Sequence, residues 1–380
     1  MKLLVLLFVV TGLVACGGAV DNSEPPAALV EFSASAKLTH IKEIETIKGS
    51  SLFTRISPLN LDKHIIFSDT KGTITVFDKS KFEIKWQKET GVSYPSALGG
   101  NSSIYLFGTR GGEVVALDPS TGNQLWRVKV SSEVLARPVV SGDTVVIKTI
   151  DGQLTALDFK TGNQKWFFKK DVPALTVRGN SAPLIVDDKI ITGLDNGKLI
   201  IVDLKSGKLF WEKTISIPRG RSEIDRLVDL DADIILNNNI AYIGGFQGRV
   251  VAIDLKTGDT LWVKKMSIIN NMTLENNKLY ITDTRSHIWA LDASTGATIW
   301  KSGVFTARKL TSPVIMDEYL LLGDYQGYLH VVAKSDGHQI SRLQVDESGI
   351  NVNPIVINDS IYLQSRNSKI NVVELEKLSD

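Results

Sequence analysis

Cysteine is almost absent from this sequence of 380 residues, in which Cys16 is the only one. A single thiol excludes a disulfide within the chain, a cysteine-based zinc site and an iron–sulfur cluster held by one chain. A surplus of one charge is absent as well, since 43 Lys and Arg side chains balance 42 Asp and Glu side chains. Because nucleic-acid-binding proteins need a basic surface to contact phosphates, the sequence predicts no nucleic-acid partner.

Motifs of enzymes and metal sites are also lacking. The five histidines show no metal-ligand spacing, and there is no nucleophile elbow, Walker loop or dinucleotide-binding glycine motif. His330 alternates with apolar Leu329 and Val331, which favours a structural role on a strand. We therefore expect no catalysis, no metal and no cofactor.

Only the N-terminus carries a long apolar run. Lys2 precedes this run, residues 3–14, which is too short to span a membrane and is typical of a cleaved signal peptide. It ends in Leu13-Val14-Ala15-Cys16, which resembles the lipobox of bacterial lipoproteins, where the cysteine is lipidated and becomes the new N-terminus. A plain secretory signal with an incidental cysteine is the alternative.

The lipobox resemblance implies a signal peptide over residues 1–15 and a lipid on Cys16. Gly17 stands where an aspartate would favour the inner membrane, so the anchor is expected in the cell outer membrane, facing the periplasm. Residues 16–35 contain small residues, Gly17-Gly18 and Pro25-Pro26 without any period, which predicts a flexible tether. The folded domain is expected to cover residues 36–380.

The body of the chain repeats one unit about eight times. The clearest copy begins at Gly112 and continues through Asp118 and Gly122 to Trp126. The aspartate, or the residue in its place, recurs at positions 78, 118, 158, 203, 254, 292, 333 and 374. Six copies have a tryptophan eight residues after it, at Trp86, Trp126, Trp166, Trp211, Trp262 and Trp300. A period near 40 residues is typical of propeller blades.

Each unit predicts four short antiparallel strands. Alternating apolar residues such as Val114 and Ala116 have the period of two that is typical of strands. The Asp-x-x-Thr-Gly segment predicts a hairpin, in which the aspartate accepts hydrogen bonds from turn amides and the glycine is left-handed. Helical periodicity is absent over any long window, which excludes a solenoid of helices.

The last unit lacks an outer strand, whereas residues 38–44 predict a strand without a blade. Pairing the two closes the ring and removes two exposed sheet edges. The sequence therefore predicts an all-β fold: an eight-bladed β-propeller of four-stranded antiparallel blades, closed by the N-terminal strand.

The repeat resembles the tryptophan-docking motif of quinoprotein (PQQ-type) propellers, in which the indole packs between neighbouring blades. Residues 173–183, 222–231 and 323–330 more specifically resemble the BamB family, the propeller lipoproteins of the outer-membrane β-barrel assembly (BAM) machinery. This resemblance implies a non-catalytic scaffold that docks on the POTRA domains of BamA and meets the other BAM subunits indirectly. It also implies a monomer within the complex that assists nascent outer-membrane proteins.

Insertions in the repeat point to the same region. The two longest spacings, 45 and 51 residues, are adjacent, and both insertions follow a repeat tryptophan. Connections at this point of a propeller emerge on one face, so the insertions are expected to form one patch. Apolar side chains beside an arginine and carboxylates are typical of a protein-binding surface.

By resemblance to the BamB family, the patch binds BamA through Leu175, Val177, Arg178, Asp229 and Asp231. Val177 stands where a leucine is usual, which costs a little apolar area. An alternative role for Arg178 is an internal ion pair with Asp229 or Asp231 that shapes the loops, and the sequence leaves both roles open. Two solvated loops with incidental charges are a further alternative.

Two other functions are compatible with the predicted fold. PQQ-dependent dehydrogenases share it, but they hold a quinone over the propeller axis with calcium and usually a vicinal disulfide, and their chains are considerably longer. One cysteine cannot form that disulfide. The other possibility is a generic periplasmic binding or sensor propeller, which a failure to bind BamA would favour.

Overall fold

A computed structural model describes residues 24–45, 56–69, 71–81, 83–91, 95–173, 176, 179, 181–218, 221–222 and 227–378. Within these ranges 32 strands form eight four-stranded sheets, and no helix is present. The same ranges hold no helical segment with the length and apolar character needed to span a bilayer. The predicted eight-bladed propeller is confirmed.

The first four blades take their strands in chain order. Blade 1 comprises β2 (Leu59–Asn60), β3 (His64–Ser68), β4 (Thr73–Asp78) and β5 (Glu83–Glu89). Blade 2 comprises β6 (Pro95–Asn101), β7 (Ile104–Thr109), β8 (Glu113–Leu117) and β9 (Gln124–Lys129). Blade 3 comprises β10 (Val139–Ser141), β11 (Thr144–Lys148), β12 (Gln153–Asp158) and β13 (Gln164–Lys169). Blade 4 comprises β14 (Leu184–Val186), β15 (Lys189–Gly193), β16 (Lys198–Asp203) and β17 (Leu209–Thr214).

The last four blades include the one that joins the two ends of the chain. Blade 5 comprises β18 (Ile235–Asn237), β19 (Ile240–Ile243), β20 (Arg249–Asp254) and β21 (Thr260–Lys265). Blade 6 comprises β22 (Thr273–Glu275), β23 (Lys278–Thr282), β24 (Ile288–Asp292) and β25 (Thr298–Ser302). Blade 7 comprises β26 (Val314–Met316), β27 (Tyr319–Gly323), β28 (Tyr328–Ala333) and β29 (Gln339–Gln344). Blade 8 comprises β30 (Ile355–Ile357), β31 (Ser360–Gln364), β32 (Ile370–Lys377) and β1 (Ala36–Ile44).

Each blade runs from an inner strand at the propeller axis to an outer strand at the rim. The inner strands of neighbouring blades contact each other, as β10 does with β6 and β14. Because successive strands are antiparallel, the turn after the second strand and the connection after the fourth share one face, which we call the loop face. The turns after the first and third strands lie on the opposite face, which we call the turn face.

The aspartate of the repeat organises a hairpin on the turn face. In blade 2, Oδ1 of Asp118 accepts hydrogen bonds from the amides of Ser120 at 3.0 Å and Thr121 at 2.8 Å. Gly122 donates its amide to the Asp118 carbonyl and has a φ of 67°. Hydrogen bonds from Ser120 and Thr121 lower the pKa of Asp118 to about 2. The predicted turn chemistry is confirmed.

Each repeat tryptophan packs against the following blade. The indole N–H of Trp126 donates to the Phe159 carbonyl of blade 3 at 2.9 Å, and its ring lies over Gly162. A Cβ atom at Gly162 would lie only 2.8 Å from the ring. All six indoles contact the turn glycine of the next blade: Gly122, Gly162, Gly207, Gly258, Gly296 and Gly337. The predicted inter-blade role of the tryptophans is confirmed.

Strand β1 closes the ring as the outer strand of blade 8. It pairs antiparallel with β32, from Ala36 opposite Lys377 to Ile44 opposite Ile370. The buried side chains of Ala36 and Leu38 also belong to the apolar cluster shared with blade 7. The predicted closure is confirmed, and it brings the two ends of the chain into one sheet.

The second half of the predicted tether over residues 16–35 lies against the propeller. Residues 24–35 are extended along blade 7, where the amide of Ala27 donates to the Thr306 carbonyl at 2.9 Å. The amide of Ser35 donates to the Ile340 carbonyl at 3.2 Å. Small residues and prolines, which suggested flexibility, also suit an extended segment that docks through its backbone. Residues 16–23 lie outside the described residues.

Replacing Trp126 with alanine is expected to lower the free energy of unfolding by about 3–5 kcal/mol, because it opens a cavity between two blades. Denaturant unfolding followed by circular dichroism measures this change. Leu125→Ala is the control: the Leu125 side chain is 51% exposed. Its loss is expected to cost about 0.5 kcal/mol or less. An unchanged midpoint for Trp126→Ala would show that the indole does not hold the blades together.

Candidate functional site

Two neighbouring connections on the loop face carry the stretches that the sequence predicts to bind a partner. The first loop, residues 170–183, links β13 to β14, and the second loop, residues 215–234, links β17 to β18. The structure describes both loops in part and omits residues 174–175, 177–178, 180, 219–220 and 223–226. Both loops border blade 4, because the first precedes its inner strand and the second follows its outer strand.

Hydrogen bonds join the two loops directly. The Ser181 hydroxyl donates to the Leu230 carbonyl at 2.8 Å, and the amide of Ala182 donates to the Asp233 carboxylate at 2.7 Å. The amide of Phe246 in blade 5 donates to the Asp229 carbonyl at 2.9 Å. These bonds hold the described parts of the two loops side by side, and the binding of a partner there remains a prediction.

Buried side chains on the second loop hold it against the propeller. Val228, Leu230 and Ala232 alternate with Asp229 and Asp231, and all five are buried. Gly179 of the first loop lies directly against Asp231, so that a Cβ atom there would collide with Oδ1 of the carboxylate. The two loops therefore meet through a closely packed interface, of which Asp231 is a part.

Three carboxylates and one lysine lie beneath these loops. Asp229 is fully buried, Asp195 and Asp231 are each 4% exposed, and Lys148 is 5% exposed. The ammonium group of Lys148 donates to the Ser181 hydroxyl at 3.1 Å. Among the described residues, neither side-chain oxygen of Asp231 has a hydrogen-bond partner. Since a buried charge without partners is costly, this environment opposes ionisation of Asp231.

The pKa values of the cluster reflect this cost. Burial, followed by the nearby carboxylates of Asp229 and Asp195, raises the pKa of Asp231 from 3.8 to about 8, although Lys148 opposes the shift. Burial also raises the pKa of Asp195, again against Lys148. Asp231 is therefore mainly protonated in the folded protein at neutral pH.

The residues predicted to bind a partner differ in where they lie. Asp229 and Asp231 are beneath the loop surface rather than on it. This corrects one part of the expectation: any contribution they make to binding passes through the loops that they support. Leu175, Val177 and Arg178 lie outside the described residues, and their partner contacts remain predictions.

Lys148 and Asp195 belong to this site although the sequence did not predict them there. A signal was present for Lys148, because a lysine ends the otherwise uncharged strand β11, all of whose residues are buried. Asp195 lies in the turn between β15 and β16. Asp69 and Asp324 lie in the equivalent turns of blades 1 and 7 and are buried as well, so the position of an aspartate in this turn is a signal for burial.

Metal-binding and cofactor-binding features are scarce in the described ranges. These contain no group of three or more His, Cys, Asp or Glu side chains placed to hold a metal ion. His330, predicted to be structural, is fully buried with Nε2 at 2.8 Å from Oδ2 of Asp324.

A cavity of about 190 Å³ at the propeller axis is lined partly by Arg137 and Asp233, which form an ion pair at 3.7 Å. Ordinary ligand pockets are larger, about 300–1,000 Å³.

Eight four-stranded blades, six of which carry a repeat tryptophan docked on the turn glycine of the next blade, define a propeller of the PQQ type. Comparison with solved structures agrees with this class. A europium-containing methanol dehydrogenase superposes with a TM-score of 0.68 at 14% identity, covering 86% of this chain and 84% of that one. At such low identity the likeness concerns the fold alone.

Comparison with known families defines the protein more closely. The family model described as "Outer membrane protein assembly factor BamB" matches residues 70–302. BamB of Shewanella oneidensis is 32% identical over 379 residues, which are 96% of this chain and 95% of the relative. The crystal structure of BamB from Moraxella catarrhalis superposes with a TM-score of 0.80 at 26% identity, covering 89% of this chain and all of that one. The chain belongs to the BamB family.

Asp231→Asn is expected to change how stability depends on pH. The raised pKa of Asp231 means that its contribution to stability is complete below pH 3.8 and is lost as pH rises to about 8. The asparagine variant lacks this loss, so it should gain stability relative to the unmodified protein as pH rises. A pKa difference of one between the folded and unfolded states corresponds to about 1.4 kcal/mol. Thermal unfolding between pH 4 and about 9 measures the difference.

A difference of the opposite sign would show that Asp231 is ionised and paired in the folded protein, the alternative in which Arg178 lies against it. Asp118→Asn is the matched control. Its carboxylate lies in an exposed turn and its pKa is lowered from 3.8 to about 2, so its contribution changes mainly below the measured range and the stability difference for this variant should stay nearly constant over that range.

Proposed function

We propose that this protein is a non-catalytic, lipid-anchored subunit of the outer-membrane protein assembly (BAM) machinery. In this role the first and second loops dock on the periplasmic POTRA domains of BamA. Membership of the BamB family, whose members are outer membrane protein assembly factors, supports the assembly role. The observation that carries the docking surface is the close packing between the two longest insertions of the repeat, where Gly179 lies directly against Asp231.

The packing beneath the loops supports a rigid docking surface. Ordering flexible loops on binding costs affinity, whereas loops already held in place avoid that cost. The buried residues Val228 and Leu230 and the hydrogen bonds of Ser181 hold the loops before a partner arrives. Ile217 of the second loop, 56% exposed, offers an apolar contact to a partner.

The anchor is supported by the lipobox ending in Cys16 and by the outer-membrane role of the family. A lipid on the mature N-terminus would hold the propeller in the periplasm, with each buried methylene contributing about 0.8 kcal/mol to membrane attachment. Catalysis has no support from the described residues. The likeness to a methanol dehydrogenase, at 14% identity, concerns the fold alone.

Arg178→Glu is expected to weaken binding to the periplasmic segment of BamA by about 1–3 kcal/mol or more, since central arginines are frequent hot spots of protein interfaces. Titration calorimetry with the protein lacking its signal peptide measures the affinity. Arg127→Glu is the matched control, because Arg127 is exposed on the outer strand β9, away from both loops. Equal binding by all three proteins would place the docking surface elsewhere, and no binding by any would defeat the proposed function.

A double-mutant cycle separates the two roles of Arg178. If Arg178 contacts BamA directly, its effect and that of Asp231→Asn should add within about 0.5 kcal/mol. If Arg178 pairs with Asp231 inside the loops, the second substitution should change little once the first is present. Circular dichroism of each variant verifies that the propeller remains folded.

Cys16→Ser is expected to abolish membrane attachment, because serine cannot receive the lipid at this position. The measurement is flotation of the purified mature protein with phospholipid vesicles in the absence of BamA. The unmodified protein should float and the variant should remain at the bottom of the gradient. Flotation of both proteins would show that another part of the chain binds the bilayer.

A further inference from the structure

Residues 24–35 form a segment that crosses the propeller edge, and we call it the strap. At its first end the amide of Ala27 donates to the Thr306 carbonyl, in the connection between blades 6 and 7. At its second end the amide of Ser35 donates to the Ile340 carbonyl of β29. The strap therefore makes backbone hydrogen bonds at both ends, which a freely moving linker would not do.

Arg308 provides the main binding site for the strap. Its side chain is 2% exposed, and its guanidinium pairs with Asp324 at 2.7 Å. The same guanidinium donates through Nη1 to the Ala27 carbonyl at 2.9 Å and through Nη2 to Gln326 at 2.7 Å. The strap thus completes the hydrogen bonding of a buried charged group, and leaving such a donor unsatisfied would be costly.

Two further arginines contact the strap along its length. Arg342 of β29 donates to the Val30 carbonyl at 3.1 Å, and its guanidinium lies 5.3 Å from the ring centroid of Phe32. Arg285 pairs with Glu24 at 3.3 Å, with both side chains exposed. Exposed ion pairs contribute little free energy, so Arg308 and Arg342 are expected to provide most of the binding energy between the strap and the propeller.

The strap has a defined direction across the propeller. Glu24 and Ala27 lie at the loop face, beside the turn after β23 and the connection after β25. Ser35 lies near the start of β29, at the turn face, where the chain enters β1. The N-terminal end of the strap therefore emerges on the face that carries the first and second loops.

This path shortens the link to an N-terminal anchor. From Cys16 to Ala36 is a distance of 20 residues, but only eight residues separate Cys16 from Glu24. Fully extended, about eight residues reach at most roughly 28 Å and about 20 residues roughly 70 Å. A docked strap therefore leaves the propeller far less freedom to turn or to move away from the bilayer.

We propose that the strap fixes the anchored N-terminus to the loop face at blades 6 and 7, so that this rim of the propeller is held nearest to the lipid surface. The inference rests on the lipid anchor proposed above. It gives the strap a positioning role: it presents the loop face, with the docking loops, toward the membrane-proximal part of the periplasm.

The test uses the full mature chain, lipidated at Cys16 and reconstituted in phosphatidylcholine vesicles that carry a headgroup energy acceptor. Since Cys16 is the only cysteine, one introduced cysteine provides a unique site for a donor dye. Val304→Cys places the dye on the loop face next to the strap, at a side chain that is 42% exposed. Lys160→Cys places it in an exposed turn of blade 3, on the turn face and across the ring.

Energy transfer from the Val304 position is expected to exceed that from the Lys160 position several-fold. The double variant Ala27→Pro, Arg342→Ala removes the amide donor to Thr306 and the contacts of Arg342 with Val30 and Phe32, and it should greatly reduce this difference. The matched control carries the same kinds of change at exposed positions, Ala28→Pro in the strap and Arg127→Ala on β9, and should behave like the unmodified protein.

Hydrogen exchange of residues 28–35 reports whether the strap has opened. Faster exchange in the double variant together with a reduced difference in energy transfer supports the proposal. Equal transfer from both positions in the unmodified protein overturns it, as does an undiminished difference once exchange shows an open strap. Unchanged exchange in the double variant also overturns it, because the named contacts would then not hold the strap. BamA is absent throughout, so the result is independent of the docking proposal, and flotation tests the anchor separately.

Discussion

The contact between each repeat tryptophan and the turn glycine of the next blade is the interaction on which this propeller depends. The indole of Trp126 is held by its hydrogen bond to the Phe159 carbonyl and packs flat on Gly162. Two independent constraints therefore require glycine at that position: a φ of 73° and the absence of a Cβ atom beneath the ring. Because the blades form a closed ring, an error in one such contact would be passed to every other blade.

Because the blades are held by these contacts, differences in length between the repeats are restricted to the loops that connect the strands. The blades are set by a repeated contact, so an insertion can lengthen a loop without moving a strand. Long loops carry a conformational cost, and here Ser181 and Ala182 offset part of it by tying the first loop to the second. The same interface buries Asp229 and Asp231, so the carboxylates most readily interpreted as surface groups belong to the interior. Their protonation and the shape of the loops are therefore coupled.

The fold could be predicted from the sequence because its determinants are local and repeated. The Asp-to-Trp spacing seen from Asp118 to Trp126 recurs in six copies and, with the turn glycine, marks a hairpin and a blade contact, and β1 was identifiable as a strand without a blade. The site could be predicted only as a location. Whether Asp231 faces solvent depends on Gly179 of the first loop and Lys148 of blade 3. Both are distant from Asp231 in the sequence, so the residues next to Asp231 do not indicate its burial. The strap could not be predicted for the same reason. Its partners Arg308 and Arg342 are separated from it by 281 and 312 residues along the chain. In addition, Pro25-Pro26 and the small residues around them have the composition of a linker.

The order of the elements along the chain gives the strap a mechanical consequence. It lies between the N-terminus and β1, the strand that closes the ring. Any load on the N-terminus must therefore break the contacts of Arg308 and Arg342 with the strap before it can act on the pairing of β1 with β32. The strap thus stands between the N-terminus and the pairing that keeps the propeller closed, although the strap and β1 form one continuous stretch of chain.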